Sequence, residues 1–94
     1  MKNLSVSERK KLKAKAHHLK PVVQIGNKGL SDSLLTAIDN ALTAHELIKI
    51  KFLEYKEAKR DLADEIALET DSAIIGMIGN VLILYRENPE ENNL

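Results

Sequence analysis

Cysteine and tryptophan are absent, and the remaining aromatic residues are one phenylalanine and two tyrosines. Without cysteine the chain forms neither a disulfide framework nor a thiolate metal site, and nothing points to an oxidising compartment. RNA modules that read single strands by stacking need exposed rings, so Phe52, Tyr55 and Tyr85 alone argue against an aromatic platform of that kind. Long apolar runs are missing too. No stretch approaches the roughly eighteen apolar residues of a membrane span, and the charged N-terminus lacks the apolar core of a signal peptide. The expected address is therefore the cytoplasm, with no membrane partner. The length of 94 residues suits one domain, expected over residues 1–87, with a polar tail over 88–94.

Net charge is also absent, because fourteen Lys and Arg balance fourteen Asp and Glu. That zero averages two unlike parts. Residues 1–28 hold Lys2, Arg9, Lys10, Lys11, Lys13, Lys15, Lys20 and Lys28 against Glu8 alone, eight bases to one acid, or +7. Residues 29–94 hold six bases against thirteen acids, or −7. Such asymmetry points to a polyanion-binding end, for nucleic acid or an anionic membrane.

A first helix is expected from Ser5 or Ser7, either of which suits an N-cap, to about His18, with Leu12, Ala16 and Leu19 as its buried stripe. Its other faces are basic, with Arg9 and Lys13 one turn apart and Lys11 and Lys15 likewise. Pro21 ends that region, and Val22 to Ile25 read as a short buried strand. Ser31 or Asp32 caps a second helix to about Ala44, carrying Leu34, Leu35, Ile38, Ala41 and Leu42 at helical spacing. The run Leu47 to Leu53 alternates apolar residues with Lys49 and Lys51, which marks a strand with one wetter face. A third helix fits Tyr55 to about Thr70, apolar at Leu62, Ala63, Ile66 and Ala67 and acidic outside at Glu57, Asp61, Asp64, Glu65 and Glu69. Two apolar runs, Ala73 to Ile78 and Val81 to Tyr85, flank Gly79-Asn80 and read as a hairpin. The order α-β-α-β-α-β-β predicts a two-layer α/β sandwich.

Between the first strand and the second helix lies Gly26-Asn27-Lys28-Gly29. Two glycines let the main chain take positive φ and approach a ligand closely, and the following helix offers free N–H groups and a positive dipole end. This is the shape of a backbone-phosphate clamp, although glycines also punctuate such turns for steric reasons alone.

Catalytic and metal chemistry find no support. His17 and His18 are adjacent, so on a helix they point about a hundred degrees apart and cannot share a metal; one is expected against Pro21 and the other toward solvent or RNA. His45-Glu46 lacks the second histidine of HExxH, and the glycine loop lacks the GK[ST] ending of a P-loop. The acids of the third helix suit a solvated face better than a metal cluster. No cofactor is expected.

Three separated runs carry a family likeness: Leu19 to Leu30 with the glycine loop, Glu46 to Lys51, and Ile78 to Arg86. Together they resemble the CRM domain, the RNA-binding module of YhbY-type proteins, over about Leu4 to Arg86. The resemblance implies a fold similar to the C-terminal domain of bacterial translation initiation factor three, with a four-stranded mixed sheet and a KH-like GxxG loop. It also implies association with precursors of the large ribosomal subunit; related domains recur in tandem in plant organellar intron-splicing factors.

The family's loop falls on Gly26, Asn27, Lys28 and Gly29. KH-type loops clamp the nucleic-acid backbone without reading base edges. On this basis Lys28 neutralises a phosphate, amides near Gly29 and Leu30 donate to its oxygens, and Arg9, Lys10, Lys13, Lys20, Lys49 and Lys51 are candidates to extend the contact. The expected partner is rRNA in a large-subunit precursor. An alternative of different class is a protein-interaction module that docks the acidic third helix on a basic ribosomal protein.

Overall fold

Parity along one strand sets the layers. In the computed structural model, which describes residues 4–88, β2 (Leu47–Phe52) buries Ile48, Ile50 and Phe52 on one face and turns Leu47, Lys49 and Lys51 to the other. Residues 89–94 of the expected polar tail lie outside the described residues. Around β2 the chain runs α1 (Val6–Ala16), β1 (Val23–Ile25), α2 (Asp32–His45), then α3 (Lys59–Thr70), β3 (Ala73–Ile78) and β4 (Val81–Tyr85). The sheet order is β1-β2-β4-β3; β1 pairs parallel with β2, and the other pairs are antiparallel. This is the α/β fold that the element order predicts, with the four-stranded mixed sheet that the family resemblance implies.

The principal core joins Ile25, Ile48, Ile50, Phe52, Leu82 and Leu84 of the sheet to Ile38 and Leu42 of α2 and Ala63 and Ile66 of α3. Each fully buried large side chain contributes about 1.5–3 kcal/mol. The opposite face is covered only in part. There Ala16 packs with Ile75 and Ile83, flanked by Leu4, Leu12, Leu47, Ala73 and Tyr85. The sheet with α2 and α3 forms the two-layer body, and α1 adds a partial layer across its back. Coverage is partial because the stripe of α1 is short: Ala16 is buried, whereas Leu19 falls beyond the helix and is 39% exposed.

Several boundaries differ from expectation for local reasons. Ser5, not Ser7, caps α1: its Oγ accepts from the Glu8 N–H at 3.1 Å while Glu8 Oε1 accepts from the Ser5 N–H at 3.0 Å. The single acid of the basic segment thus belongs to a capping box. The helix also stops at Ala16, with His17 and His18 outside it. Ser31 caps α2, which runs one residue past Ala44. The third helix begins at Lys59, because Tyr55 takes a left-handed conformation at φ 57° and residues Lys56–Ala58 form a 3-10 turn. A bulge between Ile74 and Gly76 interrupts β3.

Arg86, just past β4, ties that strand to the second half of α2 and the end of α3. Nη1 donates to Asp39 Oδ1 at 2.5 Å and to the Thr70 carbonyl at 2.9 Å; Nη2 donates to the Asp39 carbonyl at 3.0 Å and to Thr43 Oγ1 at 2.9 Å.

Candidate nucleic-acid interface

The glycine loop leaves the sheet where β1 and β2 end. The Ile25 carbonyl, last of β1, accepts from the N–H groups of Leu53 at 2.9 Å and Glu54 at 3.1 Å. The chain then reverses: the Gly29 N–H donates to the Gly26 carbonyl at 3.0 Å, and the Ser31 N–H to the Gly29 carbonyl at 3.2 Å. Asn27 and Lys28 are exposed at the tip.

Two expectations about this loop need correction. Only Gly29 takes positive φ, at +64°; Gly26 lies outside that region, and a Cβ built on it would meet nothing within 4 Å. Gly26 therefore leaves a bare backbone edge and Gly29 supplies the turn geometry. The Gly29 N–H is also consumed by the turn, so it is closed to a ligand. In α2 the Leu34 N–H is taken by Ser31 Oγ at 3.2 Å and the Leu35 N–H by the Ser31 carbonyl at 3.0 Å. The amides ahead of them, those of Asp32 and Ser33, are the helix's open donors. Asp32 in the first turn places a carboxylate there and offsets part of the dipole's attraction for an anion. Between loop and helix lies an open recess of about 340 Å³, lined by Gln24, Lys28, Ser31, Ser33, Leu34 and Ala37 among others.

The cations sort themselves by where α1 crosses the sheet. The helix packs along β3, where Arg9 bonds the Ile74 carbonyl and a Cβ on Gly76 would sit 3.4 Å from Lys13 Cε. Past its C-terminal end, over β2, Lys49 Nζ donates to the Leu19 carbonyl at 3.1 Å. Lys10, Lys13, His17 and Lys49 line one groove of about 420 Å³, floored by Ile78 and Ile83, and among the described residues no carboxylate lines it. Lys51 stands two residues farther along β2 on the same face, about 7 Å at the usual strand rise. Its Cα partner on β1 is Gln24, two residues before Gly26 and part of the loop recess. A basic strip thus runs over the uncovered part of the α1 face and ends at the glycine loop.

Two predicted residues fall outside the strip. Arg9 Nη1 donates to the Ile74 carbonyl at 2.6 Å, and Ile74 is level with Leu84 and Ile48 across the sheet, toward the end opposite the one where β1 gives way to the loop. Lys20 precedes β1 and therefore lies at the opposite end of that strand from the loop. With Lys15 it borders a cleft of about 610 Å³ whose apolar walls include Leu12, Leu19, Val22 and Tyr85. Burial, helped by Glu46, Glu87 and Glu8, raises the Tyr85 phenol above its ordinary pKa of 10.0. Both His17 and His18 are exposed, their rings edge to face at 5.6 Å, so neither is buried against Pro21.

Sequence reasoning missed two residues at the loop. Gln24 bridges strip and recess, a position legible only once the parallel register of β1 and β2 is known. Tyr55 donates its hydroxyl to the Asn27 carbonyl at 2.6 Å, and its ring lies 3.5 Å from where a Gly29 Cβ would be. No spacing signal joins residues 27 and 55. Among the described residues no three histidine or acidic side chains gather as a metal site, and no helix is long and apolar enough to cross a membrane.

This combination of a mixed four-stranded sheet, a glycine-bracketed strand-to-helix loop and an adjoining basic strip defines a class that comparison with known proteins identifies. The CRS1 / YhbY (CRM) domain matches residues 4–86. An RNA-binding protein of Haemophilus influenzae is 43% identical over 91 residues, covering 96% of this chain and 92% of that protein. The probable RNA-binding protein YqeI of Bacillus subtilis is 36% identical over 92 residues, covering 97% and 96%. The solution structure of a hypothetical protein from Staphylococcus aureus superposes with a TM-score of 0.79 at 31% identity, covering 90% of each chain. The chain belongs to the CRS1/YhbY (CRM) domain family.

Proposed function

We propose that this protein binds RNA through its sugar-phosphate backbone and acts in the cytoplasm as an assembly factor on a large-subunit rRNA precursor, without catalysis. The observation that carries the reading is the continuity of the Gly26–Gly29 loop, exposed at Asn27 and Lys28, with a strip of Lys10, Lys13, Lys49 and Lys51 whose groove holds no carboxylate among the described residues. The names of its relatives in Haemophilus influenzae and Bacillus subtilis point the same way. Lys28 at the loop tip meets a phosphate, the strip tracks the neighbouring ones, and the scarcity of rings leaves charge and shape as the main means of recognition. Lys28→Glu tests this: RNA affinity falls at least tenfold while the melting temperature stays within a degree or two of the parent, because the side chain is exposed. Unchanged affinity would sink the proposal. Crosslinking in cells, followed by sequencing of the bound RNA, tests the rRNA assignment.

One observation favours a second, compatible reading. Leu68 is 81% exposed among the outward acids Asp61, Asp64, Glu65 and Glu69 of α3, an apolar centre in an acidic surface. A basic ribosomal protein fits that surface. Charge reversal at Asp61, Asp64 and Glu65 separates the two readings: loss of particle association with naked-RNA binding intact assigns α3 to protein contact.

A further inference from the structure

Lys28 sits between two residues that the same side chain holds. Tyr55 Oη donates to the Asn27 carbonyl at 2.6 Å on one side of it, and the Tyr55 ring lies 3.5–3.9 Å from the Cβ position of Gly29 on the other. Tyr55 reaches across because its backbone is left-handed, φ 57° and ψ 34°, at the point where the chain leaves β2. The residues before it are fixed to the base of the same loop, Leu53 and Glu54 both donating to the Ile25 carbonyl. The residue after the turn is fixed as well, since the Ala58 N–H donates to the Tyr55 carbonyl at 3.0 Å. Two left-handed residues, Gly29 and Tyr55, thus face each other across the ring. The contact is not needed for the core: Tyr55 is 47% exposed and joins neither buried cluster.

We infer that Tyr55 is a positioning residue for the phosphate clamp: it holds the Asn27 peptide and Gly29 so that Lys28 is presented outward before RNA arrives. This rests on the clamp reading of the loop. A loop fixed in its binding shape loses less conformational freedom on association than a free one. Removing the hydroxyl should therefore weaken binding without removing a charge.

Tyr55→Phe keeps the ring against Gly29 and removes only the bond to Asn27; Tyr55→Leu removes both. The probe is a fluorescent single-stranded oligouridine, titrated at several salt concentrations, with amide hydrogen exchange measured on the free protein. For Tyr55→Phe the expected result is a loss of affinity of about three- to tenfold, the effect of one hydrogen bond. The salt slope is unchanged, since the number of phosphates neutralised is the same. Exchange quickens at Asn27 to Leu30 but not in β2 and β4. Combined with Lys28→Ala, it adds little to the loss that Lys28→Ala causes alone, because Tyr55 acts through the loop. If Lys28→Ala itself leaves affinity unchanged, the clamp reading fails and this inference with it. If Lys28→Ala weakens binding but Tyr55→Phe matches the parent in affinity and loop exchange, the inference alone is overturned. Loss of affinity in Tyr55→Leu with loop exchange as in the parent also overturns it, because the ring then contacts the RNA itself and does not hold the loop.

Discussion

If the basic strip and the loop grip a phosphate chain, each cation should register in the salt dependence of binding, and only those that share the surface should. Lys28, Lys10, Lys13, Lys49 and Lys51 meet that condition. Five neutralised phosphates at about −0.7 each give a slope of log affinity against log salt near −3.5 for a single strand. A fourfold rise in salt then costs about a hundredfold in affinity. Lys28→Ala should flatten the slope to about −2.8, so that its loss of affinity is largest at low salt and shrinks as salt rises. Lys20→Ala is the control, an exposed lysine only six residues before the loop in sequence but at the far end of β1. Arg9→Ala is a second control, its guanidinium lying at Ile74, toward the end of the sheet opposite the loop. Fluorescence anisotropy with a labelled oligouridine, repeated across a salt series, measures all four proteins. A Lys28→Ala slope equal to the parent's, or a Lys20→Ala slope flattened as much as that of Lys28→Ala, would refute the placement of the RNA path.

Stability predictions come from the same geometry. Arg86→Ala removes four hydrogen bonds that join β4 to the second half of α2 and the end of α3, and should cost about 2–3 kcal/mol, a modest figure because Asp39 is 54% exposed. Urea denaturation should show a lower midpoint at unchanged slope, with RNA affinity intact at temperatures where the variant is folded; a loss under about 0.5 kcal/mol would contradict it. Gly29→Ala forces a side chain into φ +64° and should cost about 1–2 kcal/mol, whereas Gly26→Ala, with open space at its Cβ, should change stability by less than about 0.5 kcal/mol. Thermal melts that rank the two the other way would overturn the division of labour between these glycines. Tyr85 makes an alkaline prediction. Its phenol is raised above 10.0, so in the window above that pH the native state keeps a proton that the unfolded chain has released. Stability is insensitive to this group below pH 10 and falls as pH climbs past it; Tyr85→Phe should decline less steeply there, and parallel melting curves for the two proteins would rule the effect out.

Much of this architecture was legible because two simple periods were clean. The alternation through Ile48, Lys49, Ile50 and Lys51 told which side of β2 is buried and that both lysines share the other side, as they do. Gly79-Asn80 gave the hairpin, with Gly79 at φ +58°. What failed to show were features made by the meeting of distant segments. The sequence places the start of α3 at Tyr55, ahead of Lys59, because Tyr55 and its neighbours have helix-compatible side chains, and only the tertiary contact to Asn27 and Gly29 explains a left-handed tyrosine there. Arg9 and Lys13 are four residues apart and look equivalent on a helical wheel, yet one donates to Ile74 near the start of the edge strand and the other lies by Gly76 farther along it, where the groove opens toward Lys49. Lys20 follows the same helix in sequence, but the turn through Pro21 carries it to the end of β1 remote from the loop. Sequence proximity predicted charge at the site; the crossing of α1 over the sheet decided which charges reach it.

That crossing also explains how a chain of zero net charge can present a basic strip set apart from the acids of α3. The basic strip lies on the α1 face of the sheet, and the acids of α3 lie on the outer side of a helix packed against the other face. A sheet and a helix about 10 Å across separate the two surfaces by well over 10 Å. Screening in physiological salt acts over about 8 Å. The acidic surface therefore cancels little of the potential felt by a phosphate on the strip. At longer range the two signs compensate, which limits indiscriminate attraction to distant polyanions. If the strip binds RNA as proposed, charge reversal on α3 should leave that affinity unchanged. A domain with the same residues but α1 packed beside α3 would have the same composition and no such strip.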